Sequence, residues 1–298
     1  MSQQTVEAPP RPADEHQLGQ AALVSLIPSL LREAWPLLDL HDLKATMPLF
    51  TAAVRAIVQR YGQASAAGAL AYYRAERQAA HVPGRPSLKL APTPADSVIE
   101  SAVSWATTDL YGPVTAETTD AAMKQLDGAV QNLVLDQGRD TIIGAVKADK
   151  YAKGWVRVTE GDAKVCSFCI MLALRASANL LYKTSRGADF SAHDGDRCHV
   201  APVFNAYEPS AQMREYQALW DKVTKGRSGA DARNAFRQAV EGRPVTGTTG
   251  AKKAKVLLGK SSMDRPQAEF LLAQARGMKD SPWRTKQIAR LSKLLAGK

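Results

Sequence analysis

The stretch from Gly154 to Phe204, GWVRVTEGDAKVCSFCIMLALRASANLLYKTSRGADFSAHDGDRCHVAPVF, contains all three cysteines of the 298-residue chain and two of its five histidines. A Cys-x-x-Cys pair is followed, after room for about one helix and a turn, by a histidine and a third cysteine. Two ligands on a tight turn and two on a returning segment are typical of structural zinc sites. The spacing therefore predicts one structural Zn2+. Its expected ligands are Cys166, Cys169, His193 and Cys198, with His199 as a substitute ligand.

The same stretch predicts a small α+β core around the metal. Apolar residues recur at helical spacing after Cys169, so this cysteine is expected at the start of a helix. Residues 155–158 alternate in the manner of a short strand, and residues 200–204 are expected to pair with them. Because all four ligands would come from the protein, no position is left for a reactive water, and the metal would be structural.

Other interpretations of the cysteines stay open. A Cys-x-x-Cys pair at a helix start is also found in redox proteins, although the βαβ pattern that carries such a pair is missing here. The thiols could equally be small buried residues without a metal. A disulfide framework is disfavoured, because the number of cysteines is odd and the first residues, MSQQTVEAPPRPADEHQ, contain no apolar signal core.

Several motifs in order resemble one known family. The run 154–158, the Cys166-Ser-Phe-Cys169 pair with its apolar helix, His193-Asp194 and the closing run 198–204 are similar to the core of Mu F-like head morphogenesis proteins of tailed phages, especially those of actinobacteria. The resemblance implies a minor capsid protein at the portal vertex inside the capsid, acting in head assembly and in DNA packaging or ejection. Implied partners are the portal protein, the major capsid or scaffolding protein and packaged double-stranded DNA, with the host cytoplasm as the place of assembly.

The chain departs from the family pattern in two ways. Many members close the motif with Cys-x-Cys, whereas here His199 directly follows Cys198, which leaves the fourth ligand open. Some relatives are described as capsid maturation proteases, but Ser191, His193 and Asp194 are too close in sequence to be read as a catalytic triad. We therefore predict no catalytic residues and no enzymatic activity. The alternatives are a His-metal-finger nuclease, a capsid maturation protease, or a zinc-containing nucleic-acid-binding protein.

The rest of the chain predicts a mainly α-helical protein. Residues 1–17 are expected to form a disordered arm, and residues 18–152 a helical domain with a Pro-rich linker at 81–95. Pro28, Pro36 and Pro48 are expected to divide the first part of that domain, with Pro48 in the first turn of a helix. Residues 153–207 form the Cys/His core, and residues 208–298 a basic helical extension. No run of eighteen apolar residues is present, so no contact with a membrane is expected.

Positive charge is concentrated at the end of the sequence. From residue 251 onward there are twelve Lys or Arg and three Asp or Glu, a balance of +9 in a chain whose formal net charge is +10. Such asymmetry is typical of proteins that bind a polyanion, because cations that contact phosphates release bound counterions. The residues predicted to contact DNA are Lys252, Lys253, Lys255, Lys260, Arg284, Lys286, Arg290 and Lys293.

Overall fold

A computed structural model of the chain describes residues 12–159, 167–177, 181–182, 198–245, 288–289 and 292. These residues form seven α-helices and one two-stranded sheet, so the mainly helical fold class with a small sheet is confirmed. The elements are α1 (Pro12–Ala34), α2 (Leu43–Ala79), α3 (Asp96–Ala106), α4 (Ala116–Ala148), β1 (Gly154–Val158), α5 (Ser167–Ser177), β2 (His199–Val203), α6 (Ala211–Thr224) and α7 (Gly229–Val240). None of the described helices combines the length and apolar character needed to cross a bilayer.

The two longest helices, α2 and α4, run parallel to each other over most of their length. The Gln137 side chain of α4 donates to the carbonyl oxygen of Val58 at 3.3 Å, and further along both helices the Tyr73 hydroxyl donates to the carbonyl oxygen of Ala145 at 3.3 Å. With 37 and 33 residues, the helices are about 55 and 50 Å long at 1.5 Å per residue. They form the axis on which the other elements pack.

Small residues allow α2 and α4 to approach closely. A Cβ atom added at Gly138 would lie 2.5 Å from the Ser65 Oγ atom, and one added at Gly62 would overlap the side chain of Gln137. The same Ser65 hydroxyl donates to Gln20 Oε1 of α1 at 2.8 Å. Small residues at this crossing therefore allow α1, α2 and α4 to meet at one position along the bundle.

Helix α1 packs antiparallel to α2, and it begins earlier than the sequence predicted. Pro12 opens the helix and Asp14 and Glu15 occupy its first turn, where proline and acidic residues are both favourable. Residues 12–17, expected to belong to a disordered arm, are therefore helical, and residues 1–11 lie outside the described part. The physical reason is that His16 and Gln20 find packing partners on α2, which the local polarity of the sequence does not show.

The prolines divide the helices differently from the prediction. Pro28 lies inside α1 and Pro48 is the sixth residue of α2, so neither ends a helix. Pro36 lies in a short 3-10 turn, Trp35–Leu37, which separates α1 from α2. Asp42 caps α2 by accepting a hydrogen bond from the Ala45 backbone N–H, and this moves the start of the helix ahead of Pro48. Tertiary packing then compensates for the backbone hydrogen bonds that the two internal prolines remove.

Helix α3 and the segment before it complete the bundle. Arg55 of α2 forms ion pairs with Asp96 at 3.2 Å and Glu100 at 2.8 Å, which fixes the first turns of α3 against α2. Residues 81–95 lead to α3 without helix or strand, and the Ala91 backbone N–H donates to Thr141 Oγ1 of α4 at 2.9 Å. The core between the four helices contains, among others, Ile27, Leu31, Phe50, Val54, Val58, Ile99, Leu126, Val130 and Val134, each with no exposed surface or almost none.

The sheet packs on the ends of α2 and α4. Strands β1 and β2 pair antiparallel with Val156 opposite Ala201, which confirms the predicted pairing of these two segments. Trp155 also exchanges both backbone hydrogen bonds with Tyr182 at 2.9 Å, and its ring stacks on the Tyr182 ring at 4.2 Å. Backbone N–H and C=O groups point alternately to the two sides of a strand, so those of Val200 and Pro202 point away from β1. Proline lacks the N–H group, and this is tolerated at the edge of a sheet.

Helices α5, α6 and α7 pack together as a smaller cluster. Ile170 and Leu174 of α5, Met213 of α6 and Phe236 of α7 are its buried centre. The predicted helices after residue 207 are thus present as α6 and α7, and α6 begins with Ser210 accepting a hydrogen bond from the Met213 backbone N–H. The chain divides after Gly247 into a compact first unit and a second unit, Thr248–Lys298, of which only three residues are described.

Candidate functional site

Two of the three cysteines lie in the described part of the chain. Cys169 is the third residue of α5, and Cys198 directly precedes β2; both are 3% exposed and neither forms a disulfide. The helix start predicted at Cys169 is confirmed. Cys166 and His193, the other two predicted ligands, lie outside the described residues. Among the residues that the structure does describe, no three His, Cys, Asp or Glu side chains are placed to hold one metal ion.

The predicted substitute ligand, His199, is the first residue of β2 and is buried. The ring of His199 lies 5.8 Å from the ring of His16 on α1, edge to face. His199 therefore packs against α1, and the choice between His193 and His199 as the fourth ligand stays a prediction.

His16 and Tyr72 form a stacked pair beside His199. Their ring centroids are 4.5 Å apart and the rings are 5° from parallel. Burial, and secondarily the neighbouring His199, lowers the pKa of His16 from 6.5 to about 3. Burial likewise raises the pKa of the Tyr72 phenol above its usual range. Both rings are therefore uncharged at neutral pH, and the pair fixes the start of α1 to α2 by packing.

A cleft of about 540 Å³ opens at this pair. The first turns of α1, both strands and residues 207–213 line it, and its walls carry Asp14, Glu76, Glu208 and the buried Arg157. Charged groups of both signs and the rings of His16 and His199 make the cleft able to hydrogen-bond a polar chain or ligand. No local pattern in the sequence predicts this cleft, because its residues come from five separate segments.

A second polar centre joins the ends of α2 and α4. The Arg77 Nε atom donates to Asp149 Oδ2 at 2.7 Å, and its terminal nitrogens donate to the carbonyl oxygens of residues 82–84 at 2.5–3.0 Å. The Tyr73 hydroxyl donates to the same Asp149 oxygen at 3.2 Å. Burial alone raises the pKa of Asp149, but the hydrogen bonds from Arg77, the Tyr151 backbone N–H and Tyr73 outweigh it and hold the pKa below 3.8.

We refer to Tyr73, Arg77 and Asp149 as the polar hub. The hub fixes the segment that follows α2 and the end of α4 in one arrangement, since each partner is almost fully buried. No sequence motif predicts it. The sequence does show an arginine, Arg77, four residues after Tyr73 on the apolar face of a helix. Its partner Asp149 is 72 residues from Arg77 and cannot be inferred from local sequence.

The residues predicted to contact DNA all lie in the second unit, outside the described residues. Their predicted role therefore rests on the charge pattern of the sequence. In the first unit, a buried arginine contacts the segment that precedes β2. Arg139 of α4 donates from Nε to the carbonyl oxygen of Cys198 at 3.1 Å and from a terminal nitrogen to Asp136 at 2.8 Å. The chain at Cys198 is thereby held against α4.

A family model described as VG15 protein matches residues 7–223 of the chain, which includes α1 to α5, both strands and almost all of α6. The chain belongs to the VG15 protein family. This is a family of phage virion-associated proteins, so the expectation of a phage virion protein is confirmed at this level. The family match does not extend to the narrower Mu F-like assignment. No curated protein and no solved structure matches this VG15 protein.

The VG15 match covers the cleft, the polar hub, Cys169 and Cys198, and it ends before α7 and the basic second unit. The cleft and the polar hub thus belong to the VG15 region, whereas α7 follows it. The strongly basic residues 251–298 follow it.

Proposed function

We propose that this VG15 protein is a minor capsid, or head morphogenesis, protein of the Mu F-like type, located at the portal vertex inside the phage capsid. The match of residues 7–223 to a phage virion-associated family carries the proposal. The folded body would bind the portal protein and the major capsid or scaffolding protein. The basic segment would contact packaged double-stranded DNA and act in packaging or ejection, because its surplus of nine positive charges complements phosphate.

The location is tested by mass spectrometry of purified procapsids and mature particles, combined with co-expression of the chain and a tagged portal protein. We expect the chain in both kinds of particle and in the portal eluate at about 0.15 M salt, a physiological ionic strength. Its absence from particles, together with no co-elution, would contradict the proposal. A chain lacking residues 248–298 is the matched control, since it should still elute with the portal protein.

We propose that the protein acts by attachment and has no enzymatic activity. Plasmid nicking with added Mg2+ or Mn2+ and cleavage of capsid protein by the purified chain test the two enzymatic alternatives, a nuclease and a maturation protease. Turnover that disappears in a folded His193→Ala or His199→Ala variant would contradict this part of the proposal.

We further propose that a structural Zn2+ joins the start of α5 to the segment before β2 through Cys166, Cys169, His193 and Cys198. Support comes from the two described thiols, which are buried on two separate segments, as structural ligands are. Elemental analysis of the chain purified under reducing conditions should give about one zinc per chain.

Single variants distinguish the ligands. Zinc should be absent from Cys169→Ser, Cys198→Ser and His193→Ala, and retained in His199→Ala, because His199 lies against His16. A chain that binds no zinc yet unfolds at the same temperature with and without a chelator would contradict the site and favour simple packing of the thiols.

A further inference from the structure

A groove of about 480 Å³ runs between α1 and α2 on the surface of the bundle. The two helices are antiparallel and in direct contact, since the Ser65 hydroxyl of α2 donates to Gln20 of α1 at 2.8 Å. Most of the residues that line the groove are small. We call it the small-residue groove; its central residues are Gly19 and Leu23 of α1 and Ala64, Gly68, Ala71 and Ala75 of α2.

The surface around the small-residue groove carries almost no charge. Residues 16–31 of α1 and residues 61–73 of α2 contain no Asp, Glu, Lys or Arg. These stretches meet in space, because the rings of His16 and Tyr72 stack at 4.5 Å. Among the described residues that line the groove, Glu15 at one end is the only one with a charged side chain. Helix faces in contact with solvent normally carry charged residues, so an uncharged face is typical of one that is covered.

Two glycines of the groove have no packing reason within the chain. Gly19 and Gly68 are exposed and lie inside long helices, where glycine is less favourable than alanine. A Cβ atom added at Gly19 would meet no atom within 4 Å, and one added at Gly68 would meet only the Gln20 Nε2 atom at 4.0 Å. Glycine also allows a close approach from outside, and both positions open onto the same groove.

A ridge of larger side chains lies beside the groove. Leu18, Ala22 and Leu26 follow one another at four-residue spacing on α1, and all are exposed, Leu18 to 69% and Leu26 to 46%. Rows at this spacing are the ridges that pack into the grooves of a facing helix. Gly19 and Leu23, which line the groove, directly follow Leu18 and Ala22. Ridge and groove therefore share one surface, as a face that pairs with an identical copy requires.

We propose that this face binds a second copy of the chain, so that the ridge of each copy enters the groove of the other. The α1–α2 pairs of two copies then form a four-helix arrangement. With 23 residues, α1 is about 35 Å long, and with α2 it offers a strip roughly 20 Å wide, or about 700 Å², close to the roughly 800 Å² per partner of a standard interface. The lack of charge suits an identical partner, because like charges across an interface repel.

Analytical ultracentrifugation of the full-length chain tests the proposal. At about 10 μM we expect a dimer of 64.4 kDa, twice the 32.2 kDa of one chain, that dissociates on dilution. The groove variant, Ala64→Glu with Ala71→Glu, should raise the dissociation constant at least about a hundredfold, because its carboxylates would be buried without partners. The matched control, Ala52→Glu with Ala56→Glu, adds the same charge at exposed positions of α2 outside the groove and should leave the dimer unchanged.

A glycine variant separates association from folding. Gly68→Ala should raise the thermal unfolding midpoint in dilute solution, because alanine favours a helix. It should weaken the dimer about tenfold, because the added methyl group occupies space in the groove. Gly144→Ala on α4, where an added Cβ atom also meets no atom within 4 Å, should raise the midpoint and leave the dimer unchanged. This pair of variants decides the question if the groove variant fails to fold.

A chain that stays monomeric up to about 100 μM would overturn the proposal. So would a dimer that the groove variant and its control weaken equally. A monomer whose groove variant loses co-elution with the portal protein would assign the face to that protein instead of a second copy. Because ultracentrifugation uses the purified chain alone, its result is independent of whether the protein lies at the portal vertex.

Discussion

Single residues in this protein show how much a buried charge depends on its surroundings. Arg77 is almost fully buried, and its guanidinium is satisfied by one carboxylate and three backbone carbonyl oxygens. Arg55 also forms two ion pairs, but its partners Asp96 and Glu100 are more than half exposed. Solvent weakens the second arrangement, whereas removal of one partner from the first leaves a charge without compensation.

Replacement of Arg77 by alanine should therefore lower the free energy of unfolding by about 3–5 kcal/mol, because Asp149 and three carbonyl oxygens would be left without their buried donor. Urea denaturation followed by circular dichroism measures the change. Arg55→Ala is the control and should cost about 1 kcal/mol or less. Similar reductions in the two variants would show that the hub is not a special source of stability.

The lowered pKa of Asp149 gives a pH dependence with a defined sign. A carboxyl group whose pKa is lower in the folded state stabilises the fold above its unfolded pKa of about 3.8, and this contribution disappears as the pH falls through the folded value. The Asp149→Asn variant should be much less stable than the unmodified chain near neutral pH. The difference between the two should shrink below about pH 3.8. A difference that stays constant from neutral pH into this acidic range would contradict the assignment.

At the scale of elements, the crossing of α2 and α4 depends on small residues at one level. Gly138 faces Ser65, and neither a larger side chain nor a shifted backbone fits without moving α1, because Ser65 is hydrogen-bonded to Gln20. Gly144 lies on the same helix, and a Cβ atom added there meets no atom within 4 Å. The two glycines therefore have opposite roles within one helix.

We expect Gly138→Ala to destabilise the protein by about 1–2 kcal/mol, because the cost of overpacking, about 1–3 kcal/mol, exceeds the gain in helix propensity. Gly144→Ala should stabilise it by about 1 kcal/mol through propensity alone. Thermal unfolding of the two variants tests this, and the prediction fails if both shift the midpoint in the same direction.

The sheet shows a comparable dependence on single positions. Gly154 begins β1 where a Cβ atom would lie 2.6 Å from the carbonyl oxygen of Tyr182. On the other strand, Pro202 occupies the outer edge, where it limits pairing with a further strand. Both residues are explained by their neighbours in space, although the pairing of the two strands that contain them is predicted by the sequence.

For the whole molecule, three boundaries fall close together in the sequence: the end of the family match, the end of the first unit and the start of the basic segment. The VG15 match ends at residue 223 within α6, the compact first unit ends at Gly247, and the charge becomes strongly basic from residue 251. The first unit is nearly neutral. Nonspecific affinity for polyanions should therefore depend mostly on the terminal segment.

Deletion of residues 248–298 lowers the formal net charge from +10 to +1, since the removed segment carries twelve basic and three acidic residues. We expect the thermal unfolding midpoint of the remaining chain to stay within about 2 °C, because this segment forms a separate compact unit. Binding to heparin should weaken markedly and occur only at lower salt. A large decrease in stability would show instead that the segment supports the first unit.

The sequence by itself determined the helical class, the pairing of the two strands, the helix start at Cys169 and the position of the excess charge. These features are local, because they follow from apolar periodicity and composition over about ten to twenty residues. Only the tertiary structure decided that Pro28 and Pro48 lie inside helices and that α1 begins at Pro12. The structure alone also brought Arg77 to Asp149. Such features depend on interactions between residues up to 72 positions apart, and burial there outweighs the local preferences that a sequence reveals.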